Sequence, residues 1–151
     1  MKNIFTPEIS SEIINRINQL DASKSPQWGK MSADQMLAHC NVTYEMVYEP
    51  EKHSKPNAFT RFILKTFVKK AVISEKPYKG NGQTAPQFLI TDQRNFEKEK
   101  DRLITYIEKT KELGENHFEG KESHSFGVLT KNEWNNMFYK HLDHHLNQFA
   151  V

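Results

Sequence analysis

His141 and His145 stand one helical turn apart in the stretch Trp134-Asn-Asn-Met-Phe-Tyr-Lys-His141-Leu-Asp-His144-His145-Leu-Asn-Gln148-Phe149. At about 100° per residue, Trp134, Phe138, His141, His145 and Phe149 fall within one quadrant of a helix, with Met137 and Leu142 beside it. Asp143 and Asn147 point to the opposite side, and His144 lies at the edge of the stripe. Imidazoles inside an apolar stripe are costly unless something satisfies their nitrogens. A divalent metal would do so, because histidines at i and i+4 on one face can converge on a single ion. Hydrogen bonds from two core histidines to carbonyls or a buried acid would do so equally well. The spacing alone does not choose between the two.

A third imidazole bears on that choice. His39 lies in the middle of a second amphipathic stretch, near the inward edge of a stripe built from Met36, Cys40, Thr43, Val47 and the adjacent Met46. If the two helices are neighbours, His39, His141 and His145 make a three-histidine site with one position left open, the catalytic rather than the closed structural arrangement. A metal held there would lower the pKa of water or of a substrate thiol beside it. Around this set, His124 is a lesser candidate, for a proton shuttle or a fourth ligand, against plain exposure in its loop. His144 suits an outer or exposed position, and Gln148, one turn beyond the histidines, can orient one of them or simply hydrogen-bond. Cys40 points about 100° away from His39 and reads as a small core residue. His53 and His117 fall in expected linkers and read as exposed. The sequence His-Leu-Asp-His-His lacks the glutamate of the His-Glu-x-x-His proteases, and neither a phosphate-binding glycine loop nor a Gly-x-Ser-x-Gly elbow occurs.

The elements that must position these residues are all helical. Thr6 as cap, Pro7 at the first helical position and Glu8 in the first turn start a helix with Ile9, Ile13, Ile17 and Leu20 on one face. Asp21 to Gly29 reads as a loop, and Ser32-Ala-Asp-Gln is a capping box for the helix that carries His39, which Pro50 ends. Residues 57–73 form a third helix with Phe59, Phe62, Ile63 and Phe67 on one face. Arg61, Lys65 and Lys69 lie on another, read as a solvated face rather than a contact for anionic lipid or phosphate. Residues 74–90 read as a long surface loop. A fourth segment is capped at Thr91 or Asp92, runs to Gly114, and turns Phe96, Leu103, Ile104 and Ile107 inward. A loop with Gly120 and His124-Ser-Phe-Gly leads to the last helix, opened by the capping box Thr130-Lys-Asn-Glu. No strand pattern is expected. The fold class is therefore all-α, a four-helix bundle over a single domain of residues 1–151, with one shorter helix in the crossover. About 40 residues between the second helix and the segment at 92–113 allow those two to run parallel, an up-down-down-up order.

Composition narrows the partners. The chain of 151 residues is 36% hydrophobic and 26% charged, with ten Phe, five Tyr and two Trp, enough to fill a globular core. A net charge of +2 supplies no global field for nucleic acid or membrane, so neither is an expected partner. One cysteine excludes an intrachain disulfide. With no apolar leader or membrane-length run, the expected location is the cytoplasm.

The segment Trp28-Gly-Lys-Met-Ser-Ala-Asp-Gln-Met-Leu-Ala-His39, taken with His141-x-x-His144-His145-x-x-Gln148, resembles the DinB-like superfamily of metal-binding four-helix bundles. Within it, the likeness is to a subfamily of unassigned function. It spans nearly the whole chain, including His124-Ser-Phe-Gly and the Leu-Thr-x-x-Glu-Trp start of the last helix. The resemblance implies an up-down-down-up bundle and a zinc or nickel site with ligands at His39, His141 and His145. It also implies chemistry akin to members that transfer low-molecular-weight thiols such as bacillithiol or glutathione, or that isomerise with mycothiol, the metal activating the thiol. Dimers are common among such bundles, so a homodimer is compatible with it. Two readings follow: a metal-dependent transferase or hydrolase acting on a small molecule, or a non-catalytic ligand-binding or stress-response bundle whose histidines are structural.

Overall fold

Four long helices carry the fold, and their ends are set by short-range chemistry. The computed structural model describes residues 1–151. Helix α1 (Pro7–Asn18) starts where the Thr6 hydroxyl accepts from the Ile9 amide. Helix α2 (Ala33–Tyr48) starts at Ser32, whose amide donates to Gln35 Oε1 at 3.1 Å, and stops before Pro50 opens a single 3-10 turn. Helix α6 (Lys131–Gln148) opens on both halves of its capping box, between Thr130 and Glu133. These three starts fall where the sequence puts them.

Helix α5 (Phe96–Phe118) differs at both ends. Its cap is Asn95, which accepts from the Lys98 amide at 2.9 Å, because Asp34 and Gln35 on α2 engage Arg94 and Asp92 in a non-helical link. Gly114 (φ 70°, ψ 166°) breaks the rod as expected, but helical backbone resumes to Phe118, whose ring is fully buried. His117 therefore sits on this helical piece, exposed, rather than in a linker.

The four helices close on one core of 21 buried residues. Ile13 and Ile17 of α1, Met36, Leu37 and Tyr44 of α2, Leu103 and Ile107 of α5, and Trp134 and Phe138 of α6 meet there. Tyr44 stacks on Phe138 with centroids 5.0 Å apart, and Trp134 on Phe138 at 5.4 Å. None of the helices is long and apolar enough to cross a membrane. The chain is thus mostly helical, with one unexpected exception. Strands β1 (Glu122–Ser123) and β2 (Gly127–Val128) pair antiparallel around the His124-Ser-Phe turn. Gly127 takes φ 77°, and Ser123 Oγ accepts from the Phe126 amide and donates to the Gly127 carbonyl. Two residues per strand are too few to show a period-2 pattern, so the sequence could not announce them.

The crossover is a helical rod in three parts: α3 (Ala58–Ile63), a π-turn over Leu64–Val68, and α4 (Lys69–Ile73). Its orientation reverses the sequence expectation. Arg61 pairs with Glu122 and Lys69 with Glu133, so the basic stripe turns toward the body of the protein. The phenylalanine face turns outward. The far end is tied to α6: Lys140 Nζ donates to the Ala71 carbonyl at 2.8 Å, and Asn136 Nδ2 to the Ile73 carbonyl at 2.8 Å. These side chains satisfy carbonyls that a helix end otherwise leaves open. Burial brings the Lys140 ammonium down to about 8.

On the other side of α2, a charged cluster joins it to α5. Arg102 pairs with Glu45 and, at 2.8 Å, with Glu99; His53 Nε2 lies 2.8 Å from Glu45, and Asn41 Nδ2 donates to Glu99 Oε2 at 2.8 Å. His53 is accordingly half-buried, not exposed as its place in a linker suggested.

Candidate metal centre

His39 projects from the middle of α2, and His141 and His145 from α6. The two helices are neighbours, and the three rings meet. One ligand-capable nitrogen from each lies within 4.8 Å of the other two, and His39 Nε2 is 2.9 Å from His141 Nε2. His39 and His145 are buried, while His141 is half-buried on the floor of a cavity.

What distinguishes this cluster from three ordinary core histidines is the use of the opposite nitrogens. His39 Nδ1 donates to the Phe88 carbonyl at 2.9 Å. His145 Nδ1 lies 2.8 Å from Gln148 Oε1, and the orientation of that amide is fixed because Gln148 Nε2 donates to the Trp28 carbonyl at 2.6 Å. Both rings therefore carry their proton on Nδ1 and present a lone pair at Nε2. His141 Nδ1 faces the Thr43 hydroxyl at 3.0 Å, a group that can donate or accept. Without a cation, Thr43 donates to His141 Nδ1, and His141 Nε2–H donates to His39. With the hydroxyl reversed, all three rings carry an unprotonated Nε2, and a ligand nitrogen of each lies within 4.8 Å of the others.

Burial keeps these rings neutral. Desolvation, reinforced by the neighbouring His39, holds His145 down to about 3. Desolvation, then His145 and His39, press His141 well below its ordinary 6.5. His39 is lowered by burial too, partly opposed by the Phe88 carbonyl. Neutral imidazoles with outward Nδ1 donors and converging Nε2 lone pairs are the state that a divalent cation takes as ligands. The residues fit the ion.

Above the rings lies a cavity of about 900 Å³. Met46 and Val47 of α2, Leu64, Val68 and Val72 of the crossover rod, and Phe88 of the following loop supply apolar walls, and no Asp or Glu lines it. The loop at 74–90 is thus more than a surface connection: its 3-10 turn at Pro86–Phe88 both roofs the cavity and latches His39.

The remaining candidates sort plainly. His124 lines the cavity but stays out of the cluster, with Nδ1 at 3.1 Å from Ser125 Oγ and Nε2 at 3.3 Å from the His53 carbonyl. His144 lies between Trp28 and Tyr78, with centroids 5.8 and 5.5 Å away. Gln148 is the group that orients His145. Cys40 is a core thiol at 1% exposure, its pKa pushed up by burial. Three contributors were missed: Thr43, Phe88 and Gly29. Thr43 follows His39 by one helical turn, a signal that was available. Gly29 (φ 81°) approaches Gln148 so closely that a Cβ there would lie 2.7 Å from its Nε2, and only its place in the Trp28-Gly segment hinted at that. Phe88 acts through its carbonyl, for which a side chain carries no signal.

The fold and site together define a helical protein with a buried three-imidazole cluster at the floor of an apolar cavity. The chain belongs to the family described as Protein of unknown function (DUF1569), which matches residues 6–151. No curated protein and no solved structure matches it.

Proposed function

We propose that this protein is a metal-dependent enzyme of the DinB-like kind, in which His39, His141 and His145 hold zinc or nickel beneath a small-molecule cavity. The reading rests on one observation: each Nδ1 is engaged by a protein group while the three Nε2 atoms gather with no carboxylate among them. When bound, such an ion supplies Lewis acidity that makes a thiol or water nucleophilic near neutral pH. Phe88, Thr43 and Gln148 fix the ring orientations, and apolar side chains wall the approach to the floor. In the same reading α1, α2, α5 and α6 run up-down-down-up, and the protein works in the cytoplasm.

Of the two reactions, transfer of a low-molecular-weight thiol is favoured over hydrolysis. The cavity offers no carboxylate general base, and a thiol acidified by the metal needs none. The sequence resemblance points the same way. The largely apolar lining without a carboxylate also suits a non-catalytic carrier, which is the second reading.

The test is elemental analysis of purified protein beside the His141→Ala variant, then conjugation of a bimane electrophile to added thiols. One equivalent of zinc or nickel in the wild type and none in the variant is expected. Saturating zinc, at a hundredfold excess over its Kd, stabilises by about 2.7 kcal/mol and raises the Tm by roughly 5–10 °C in the wild type alone. Substoichiometric metal with identical melting of the two proteins ends the metal reading. Stoichiometric metal without conjugation of any thiol ends the thiol-transfer reading and leaves hydrolysis and the carrier, which a panel of ester and amide substrates separates.

A further inference from the structure

The crossover rod has two apolar faces, and the cavity uses only one. Leu64, Val68 and Val72 look inward. Phe59, Phe62 and Phe67 are 73%, 63% and 73% exposed, and Ile63 37%. Half of the large exposed hydrophobic side chains of the whole protein stand on this one stretch. Together they present on the order of 500 Å² of apolar surface, at the upper end of what a monomer leaves uncovered.

Charge decides what covers it. Residues 52–74 contain no Asp or Glu. The lysine and arginine ion pairs of this stretch use Lys52, Arg61 and Lys69, and Lys65 lies beside Gly127 on the same body-facing stripe, which leaves Lys55 and Lys70 unpaired and exposed. Lys55 precedes the rod and Lys70 lies on its last turn, so cations bracket the phenylalanines at both ends. A second copy of the chain seated here would bring these lysines together with no acid of the same segment to offset them. The patch is also smaller than the roughly 800 Å² per partner of a stable protein interface. An anionic lipid surface satisfies both features: phenylalanines enter the headgroup boundary while lysines extend to the phosphates.

We propose that the outward face of α3, the π-turn and α4 is an interfacial helix that seats this protein on anionic lipid bilayers. The rod lies in the membrane plane and does not span it. This contact depends on none of the histidines and stands or falls apart from the metal reading. Its position leaves the cavity wall directly behind the lipid-facing side chains.

The experiment is co-flotation of the full chain with vesicles of mixed phosphatidylglycerol and phosphatidylcholine, against vesicles of phosphatidylcholine alone. Binding to the anionic vesicles at low salt is expected, weakening as salt is raised. Phe62→Ser with Phe67→Ser should lower the partition coefficient by about ten-fold or more, since both are exposed and their loss leaves the core intact. Lys55→Glu with Lys70→Glu keeps the apolar face and should cost roughly five-fold per charge on anionic vesicles only. Circular dichroism and an unchanged Tm establish that the variants fold. No binding at low salt, or equal binding by the phenylalanine variant, overturns the proposal. So does a concentration-dependent doubling of mass in light scattering that the phenylalanine variant abolishes, which assigns the face to a second copy.

Discussion

Helix α2 carries two buried polar clusters, and they are built on opposite principles. On the side of Glu45, carboxylates and a guanidinium compensate one another: Arg102 holds Glu45 and Glu99, and Asn41 and His53 complete their hydrogen bonds. Arg102 draws Glu45 below the ordinary carboxylate range against the opposing effect of burial. On the side of His39, three bases face one another with no acid, and burial makes each a poorer proton acceptor. In the first cluster each charge finds its opposite within the protein. The second is satisfied outward and open inward, three neutral rings within reach of a shared ion.

Acid should separate the two most strongly. A histidine buried neutral binds fewer protons folded than unfolded, so its contribution is present above 6.5 and is lost as pH falls toward its folded value, about 3 for His145. His145 alone should cost metal-stripped protein roughly 1.4 kcal/mol per pH unit below 6.5, about 2 kcal/mol by pH 5, and His141, also lowered by burial, adds loss in the same direction. Glu45, lowered from 4.5, begins to fail only below that value. Urea titrations of metal-free protein between pH 7 and 5 read this directly, and a flat profile would mean the rings are solvated and the contrast is lost.

Arg102→Met comes next. It leaves Glu45 and Glu99 without their cation, at a cost of about 3 kcal/mol, or roughly 6–12 °C in Tm. His141→Ala in the metal-free protein should stay within about 1 kcal/mol, because the ring borders a cavity rather than filling the core. Equal losses from the two substitutions in calorimetry would erase the distinction between a self-sufficient and an incomplete cluster.

The smallest effect sharpens the second cluster alone. A Cβ at Gly29 must displace Gln148 and also occupy φ 81°, so Gly29→Ala should weaken zinc binding about ten-fold while His39 and His141 stay in place. Competition titration with a chelating dye measures it. An unchanged affinity would show that the orientation of His145 does not depend on Gln148.

The imidazole cluster was legible because two signals of short range agreed. The i, i+4 pair in the stripe of α6 and the inward edge of α2 needed only helical geometry and adjacency. The helix starts at Thr6, Ser32 and Thr130 were legible for the same local reason. The crossover was not. Phe59, Phe62, Ile63 and Phe67 look like a core face by periodicity, yet the partners that decide orientation, Glu122 and Glu133, lie more than fifty residues further along the chain. The start of α5 failed likewise, since Asp34 and Gln35 hold residues 92–94 out of the helix through contacts no local pattern records.

The 3-10 turn at Pro86–Phe88 has two duties, roofing the cavity and accepting the one hydrogen bond made by His39 Nδ1. Any molecule bulky enough to lift that roof must unlatch the ring. On the metal reading proposed above, admission of a guest and grip on the ion become linked quantities: each weakens the other by the same factor, so a ligand that props the turn open would also release metal.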